Sequence, residues 1–393
     1  MKPNRSLLLL SVCQALFLTN NVTFAAINGL VGLRLAPVGW MATLPVMGYV
    51  VGGALAAGPV ARLQARWGRK RSFQIGLIVA ALTAAGGALA VSLGSFWGLL
   101  AATVLAGFYN ANAQLYRFAG TELVAPERQA QAISLVMAGG VAGAFIGPNL
   151  ANVTRDWLPA PFAGAYVALV VVALIGLAVM STIRFPAHVA AARGSDQGRT
   201  VAELARQPAF IVAVASGALA YGVMNLLMAA TPLAMQRCGL PFSDTALVIQ
   251  WHVLGMFVPA FFTGHLIQRV GILPVMAVGA VLNLACIAIA LTGLEFERFL
   301  AALLLLGVGW NFLFTGATTL LTTTYRPQER MRAQGAMDVC VFSTTAVTAF
   351  ASGALVTTQG WFLLNLGSLV PLALVVAALA WLWRRPAARP SVA

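Results

Sequence analysis

Apolar residues run along this chain in long continuous blocks, and polar residues collect in the short stretches between them. The blocks do not alternate apolar with polar at a period of two, so they predict helices rather than the strands of a membrane barrel. Each block is near the roughly 20 residues that an α-helix needs to cross a hydrocarbon layer about 30 Å thick. The pattern predicts twelve spans, at about 6–33, 38–61, 73–93, 95–119, 130–151, 161–183, 208–235, 243–267, 271–292, 297–323, 333–356 and 361–383. The one long polar stretch, Arg184 to Gln207, divides six spans from six. The expected organisation is therefore an N-terminal six-helix bundle over 1–183, a linker over 184–207 and a C-terminal six-helix bundle over 208–393.

Composition sharpens this picture. Of 393 residues, 60% are hydrophobic and 9% charged, and the mean hydropathy is +0.87. A soluble domain carries roughly 25% charged residues, so the chain is read as an all-α membrane protein with no sizeable soluble domain. The net charge of +14 is explained by its distribution. With the N-terminus placed in the cytoplasm, 19 of the 24 basic residues fall in cytoplasmic segments, among them Arg62, Arg66, Arg69, Lys70 and Arg71. Only Arg34, Arg155, Arg237 and Arg298 fall on the other side. That is the positive-inside bias. It predicts a multi-pass protein of the bacterial inner membrane with both termini cytoplasmic, a lipid environment and no nucleic-acid partner. Lys2 and Arg5 before Leu7–Leu18 mimic a signal peptide, but the apolar run continues to Val31 and is read as the first span. Cys13, Cys238, Cys286 and Cys340 stand alone, with no paired spacing for a zinc ribbon or disulfide framework.

The two halves repeat each other. Arg66 and Gly68 in the loop after the second span match Arg269 and Gly271 after the eighth, 203 residues on. Pro126-Glu127-Arg128 before the fifth span matches Gln328-Glu329-Arg330 before the eleventh, 202 residues on. Two matches at nearly one offset indicate a duplicated six-helix unit, the arrangement that gives transporters a site between pseudo-symmetric halves. The stretch Arg66-Trp67-Gly68-Arg69-Lys70-Arg71 resembles the loop signature of the major facilitator superfamily, G-x-x-x-D-R-x-G-R-K. Ala61 and Ala65 stand where the signature has glycine and aspartate. Gly143-x-x-x-Gly147-Pro148 partly resembles the antiporter signature of that superfamily, without its paired glycines. The resemblance implies the major facilitator fold of twelve helices in two bundles.

Polar groups inside lipid are costly and are functional candidates. The seventh span holds Met224 and Met228, and the eighth holds His252 and Met256. Each is an i, i+4 pair on one helical face, and consecutive antiparallel spans bring all four to similar depth. Thioether sulfur selects Cu(I) over harder cations, and imidazole also suits copper. Methionine is equally an ordinary core filler, so the spacing alone leaves metal binding and packing both open. The constellation resembles the CcoA-type copper importers of the superfamily, as does the stretch from Tyr116-Arg117-Phe118-Ala119 to Met137-Ala138-Gly139-Gly140. That resemblance implies import of copper, as Cu(I), for assembly of a cbb3-type cytochrome c oxidase. It makes Met224, Met228, His252 and Met256 the metal ligands and a cytoplasmic copper chaperone a partner of a monomeric carrier. The alternative, from relatives similar to riboflavin importers, is a transporter of an organic solute such as riboflavin or a drug. A third reading, from another class, is a non-transporting copper receptor or assembly factor.

Arg66, Arg117 and Asp338 are candidates for gating or ion coupling, since Asp338 lies in the eleventh span and can supply the carboxylate missing at Ala65. His265, Met137, Met235, Cys238 and Cys340 are weaker candidates for a copper path. Asn20, Asn21, Asn28, Asn110, Asn112 and Gln250 are expected in a cavity wall or in interhelical hydrogen bonds. No nucleotide-binding loop, catalytic-serine elbow or zinc-protease motif occurs. No enzymatic activity and no prosthetic group are expected, with copper entering as substrate. The topology has a direct check. A reporter fused after Arg389 should be active only as a cytoplasmic reporter, and periplasmic activity there would overturn the orientation.

Overall fold

The computed structural model describes residues 4–125, 128–186 and 198–385. Pro126, Glu127, linker residues 187–197 and the tail from 386 to 393, with Arg193 and Arg389, lie outside the described residues. Among the described residues there is no strand. The first half contains α1 (Arg5–Leu35), α2 (Leu44–Ser92), α3 (Phe96–Ala113), α4 (Tyr116–Thr121), α5 (Gln129–Thr154) and α6 (Ala163–Thr182). A short helix α7 (Val201–Leu204) follows in the linker. The second half contains α8 (Pro208–Arg237), α9 (Phe242–Phe257), α10 (Ala260–Val270), α11 (Ile272–Ala290), α12 (Phe296–Thr322), α13 (Arg330–Thr358), α14 (Gly360–Gly367) and α15 (Leu369–Trp383).

The twelve expected spans are all helical, but several are not single rods. Nine helical stretches among the described residues are long and apolar enough to cross a bilayer, ten if the bent pair α9–α10 counts as one. The other two spans are accounted for by α2 and by α3–α4. Helix α2 has 49 residues, which as one rod would be about 74 Å long, more than twice a hydrocarbon core. It is broken at Gly68, whose φ of 78° and ψ of 173° are not helical. Gly271, its counterpart in the repeat, takes nearly the same conformation, with φ 94° and ψ 163°. A side chain would be strained at either position, so the matched glycines mark the same turn in both halves. Helix α3 has 18 residues, two of them Asn110 and Asn112, so it has no room for a fully apolar stretch of membrane-crossing length. The eighth span bends by 41° between α9 and α10, where Pro259 has no N–H to continue the ladder. The twelfth is divided at Ser368.

The chain forms two units. One comprises residues 1–192 with 241–250, the other 193–240 with 251–393. In the first, α1 packs on α5 and α6, and α2 on α3 and α6. Small residues set the closest seam: a Cβ at Gly139, Gly143 or Gly147 of α5 would strike the α1 backbone at Ser11, Ala15 or Thr19. The Gly143–Gly147 spacing thus serves helix packing of the small-xxx-small kind. Asparagines join the helices: Tyr166 donates to Asn28 Oδ1 at 2.5 Å, and Ser72 donates to Asn112 Oδ1 at 2.7 Å. Gln250 accepts from Asn149 at 2.6 Å. In the signature loop, Arg69 donates to Glu122 Oε1 from Nε and Nη2, at 3.0 and 2.9 Å, and Lys70 donates to the Ser181 carbonyl at 2.7 Å.

In the second unit, α8 packs on α13, α12 and α15, and α11 on α12 and α15. The described end of the linker is fastened to this unit by one carboxylate. Glu329 is 2% exposed and accepts from Arg199 Nε at 2.8 Å, Arg199 Nη2 at 2.7 Å, and the backbone N–H groups of Arg199 and Arg326 at 2.9 Å each. Arg332 donates to the carbonyls of Gly198 and Arg199 at 2.7 and 2.8 Å. Helix α7 begins at once, with Thr200 and Glu203 forming a capping box. These bonds, led by the Arg199 guanidinium, hold the Glu329 carboxyl well below the usual carboxylate range. A folded-state pKa below the unfolded value means that this contribution is present above about pH 4.3 and is lost only as the pH falls through the depressed value. Glu329→Gln removes the charge while keeping the shape. It should lower the thermal midpoint of the solubilised protein by several degrees at neutral pH, and the gap between variant and wild type should close in strong acid. An unchanged midpoint at pH 7 would show that the linker does not depend on this carboxylate.

Candidate functional site

All four of Met224, Met228, His252 and Met256 belong to the second unit. Helix α8 lies between α13 and α12 at Gly217, whose Cβ would collide with Met337 and lie 3.5 Å from Ala317, and it meets α12 through Tyr221, whose ring packs on Trp310 and Phe314. Met224 and Met228 lie one heptad further along, so they continue the same face of α8. Met224 is buried and Met228 half-buried. On α9, His252 and Met256 also lie against α12. The two helices approach at paired glycines: a Cβ on Gly307 would collide with the His252 carbonyl, and one on Gly255 would lie 2.9 Å from the Leu304 carbonyl. The expected residues thus form two pairs, Met224 with Met228 on α8 and His252 with Met256 on α9, of which the second is held against α12.

Packing and hydrogen bonding fix the His252 ring. It is fully buried, and its Nδ1 lies 2.8 Å from the Leu303 carbonyl oxygen. A carbonyl only accepts, so Nδ1 carries the proton and the neutral ring keeps its lone pair on Nε2. Nε2 is buried with no protein partner among the described residues. Met256 is placed by Asn311, whose Nδ2 donates to the Met256 carbonyl at 2.7 Å while its Oδ1 accepts from Thr263 at 2.7 Å. Asn225, between the two methionines, faces α13 and donates to the Thr345 carbonyl at 3.1 Å and Thr348 Oγ1 at 3.2 Å.

The structure adds three residues that sequence reasoning missed. Trp310 and Phe314 of α12 stack, with ring centroids 5.1 Å apart and planes 10° from parallel. Tyr221 of α8 meets both edge-on, at 5.4 Å each. Tyr221 and Phe314 are half-buried, and Trp310 is 8% exposed. The indole Nε1 of Trp310 has no partner on the protein among the described residues, although buried indole N–H groups usually find one. The available signal was Tyr221, a polar aromatic in mid-span, one turn before Met224. The result is an aromatic wall with a donor on α12 and, on α9 where it abuts α12 at Gly307, a histidine with an acceptor.

The other candidates belong to several elements. Arg66 and Arg117 lie in the first unit and Asp338 in the second. The Arg66 guanidinium lies 5.8 Å from the ring centre of Trp67, and that of Arg117 4.8 Å from the ring centre of Phe118. Asp338 is on the exposed side of α13. His265, Cys238 and Cys340 are exposed, Met137 is half-buried and Met235 is buried.

The sequence profile of the Major Facilitator Superfamily matches residues 7–250 and 213–393. The riboflavin transporter RfnT of Brucella anthropi is 39% identical over 363 residues, covering 92% of this chain and 91% of its own length. Among solved structures, the nucleoside transporter NupG matches with a TM-score of 0.75 at 12% identity, over 95% of this chain and all of its own. A bacterial homologue of the human lysosomal transporter Spinster, inward-facing and occupied, matches with a TM-score of 0.74 at 16% identity over the whole of both chains.

The positioning role of Asn311 yields a measurable expectation. Asn311→Leu keeps the volume roughly constant but strips the hydrogen-bond partners from the Met256 carbonyl and the Thr263 hydroxyl. Leaving such buried groups unsatisfied costs about 1–3 kcal/mol. The variant should unfold at a lower temperature than wild type, and a midpoint within one degree would show that the bend at Pro259 does not need this side chain.

Proposed function

This chain belongs to the major facilitator superfamily, and on that premise we propose that it is a secondary transporter of a flat aromatic organic solute of the riboflavin class. The observation that carries the reading is the wall of Tyr221, Trp310 and Phe314 within the membrane span of the second unit. Small-molecule sites are mainly apolar and aromatic, with a few fixed polar groups that set orientation. Half-buried rings can stack on a planar solute, at roughly 0.5–1.5 kcal/mol per aromatic pair beyond the area buried. The 39% identity to a riboflavin transporter along most of both chains supports this cargo. The copper cargo expected from the motif spacing takes second place, because a riboflavin transporter is 39% identical over 92% of this chain and the aromatic wall suits an organic ring. Arg66, Arg117 and Asp338 are proposed to gate or couple the cycle.

Copper remains the second reading because of one specific observation. A metal-binding histidine usually donates its other ring N–H to a carbonyl or carboxylate, and His252 does so to Leu303 while Nε2 stays open. Thioethers at 224, 228 and 256 would then complete a soft site for Cu(I) as cargo.

The two cargoes separate cleanly by substitution. In cells lacking their own routes, uptake of labelled riboflavin and of copper is measured for wild type, for Trp310→Leu and for the triple Met224→Leu, Met228→Leu, Met256→Leu. Methionine-to-leucine exchange conserves volume and costs little by packing alone. Flavin transport predicts that Trp310→Leu reduces riboflavin uptake about tenfold, about 1.4 kcal/mol, while the triple leucine variant stays within about twofold. Copper uptake by wild type that vanishes in the triple variant, with no riboflavin uptake in either, would overturn the flavin reading in favour of the metal.

A further inference from the structure

Within the second unit, the unpartnered buried polar atoms among the described residues are Trp310 Nε1, His252 Nε2, Ser216 Oγ, Asn283 Oδ1 and Asn365 Oδ1. The last three have modest needs. The Asn283 and Asn365 amides already donate to carbonyls one turn back in their own helices, and a serine hydroxyl can rotate to the same kind of partner. Trp310 and His252 differ. An indole N–H has one direction, set here by the stack on Phe314 and the edge contact with Tyr221. The imidazole lone pair also has one direction, set by the bond from Nδ1 to Leu303. One atom can only donate and the other can only accept.

The two groups are also near one another along α12. His252 abuts α12 at Gly307. Trp310 is three residues further along, an axial step of about 4.5 Å. Long helical side chains lean back toward the helix N-terminus, which carries the indole toward the level of Gly307. At this part of the crossing Asn311 is already committed to the Met256 carbonyl and the Thr263 hydroxyl, whereas the histidine and the tryptophan each bring a polar atom that is still open.

We propose that Trp310 and His252 form the polar end of the solute site, so that the transporter selects planar rings bearing a lactam or imide edge. The Trp310 N–H donates to a ring carbonyl of the solute, and His252 Nε2 accepts from the adjacent ring N–H. This inference rests on the organic-solute reading above and adds the chemistry by which the solute is chosen. The riboflavin ring system meets the requirement, since it carries an N–H flanked by two carbonyls on one edge and a broad apolar face for stacking. Sites built to hydrogen-bond a polar group discriminate strongly against analogues lacking it, because the buried protein atoms are then left unpaired.

The test compares riboflavin with its derivative methylated at that ring nitrogen, first in wild type, where folding is not in question. Wild type should take up the methylated compound with a KM at least about tenfold higher. The preference should collapse to within about twofold in His252→Leu, which removes the acceptor. Trp310→Phe keeps an aromatic ring but removes the donor, and should raise KM for both compounds by a similar factor, with little change in maximal rate. Membrane abundance of each variant is measured in parallel. Riboflavin uptake by wild type with equal handling of the methylated compound would overturn the inference while leaving the transport reading intact. A Trp310→Phe variant with unchanged KM would also overturn it. Failure of wild type to take up riboflavin at all would overturn both.

Discussion

The crossing of α9 and α12 at Gly255 and Gly307 is the constraint on which the second unit depends. With no side chain at either position, the two backbones come close enough that a Cβ would meet a carbonyl oxygen of the facing helix. At that distance the His252 ring reaches the Leu303 carbonyl and the Asn311 amide reaches the Met256 carbonyl. The second bond has a particular use. Pro259 interrupts the eighth span and supplies no N–H, so carbonyls in the preceding turn need donors from elsewhere. In a hydrocarbon layer no water can serve. A neighbouring helix must, and only a close one can.

Much of the architecture was legible because lipid simplifies the problem. A backbone that must satisfy its own hydrogen bonds in hydrocarbon has few options, so apolar runs translate directly into helices. The duplication was legible for a similar reason: Gly68 and Gly271 are needed by backbone conformation, and that need is written as a residue type. Breaks inside a continuous apolar run were less legible. Ser368 divides the last span, and although Gly367 beside it and Pro371 just beyond are helix-breaking residues, the unbroken apolar pattern around them reads as one helix. Partners distant in sequence were hidden as well. Ala65 drew attention to a missing carboxylate in the signature loop, and Glu122, at the end of α4, proves to be the acid that engages Arg69 there. Glu329 was seen only as half of a repeat, not as the post to which the linker is tied.

The site divides along the same line. Met224 with Met228 and His252 with Met256 were visible because each pair lies within one helix at a fixed spacing. The aromatic wall was not, since Tyr221 comes from α8 and Trp310 and Phe314 from α12, and no periodicity links them. Pattern reading therefore favours ligand sets carried by single helices over surfaces assembled from several, and here it weighted a metal over a ring. Met224 and Met228 follow Tyr221 along α8, and a thioether in such a setting is as ordinary a filler against rings as it is a ligand.

The bond from His252 to the Leu303 carbonyl also restricts how many things the ring can do at once. With Nδ1–H engaged and the residue sealed among helices, Nε2 offers one electron pair. Any group held through this ring must take that one pair, so the ring cannot serve two electron-seeking partners together.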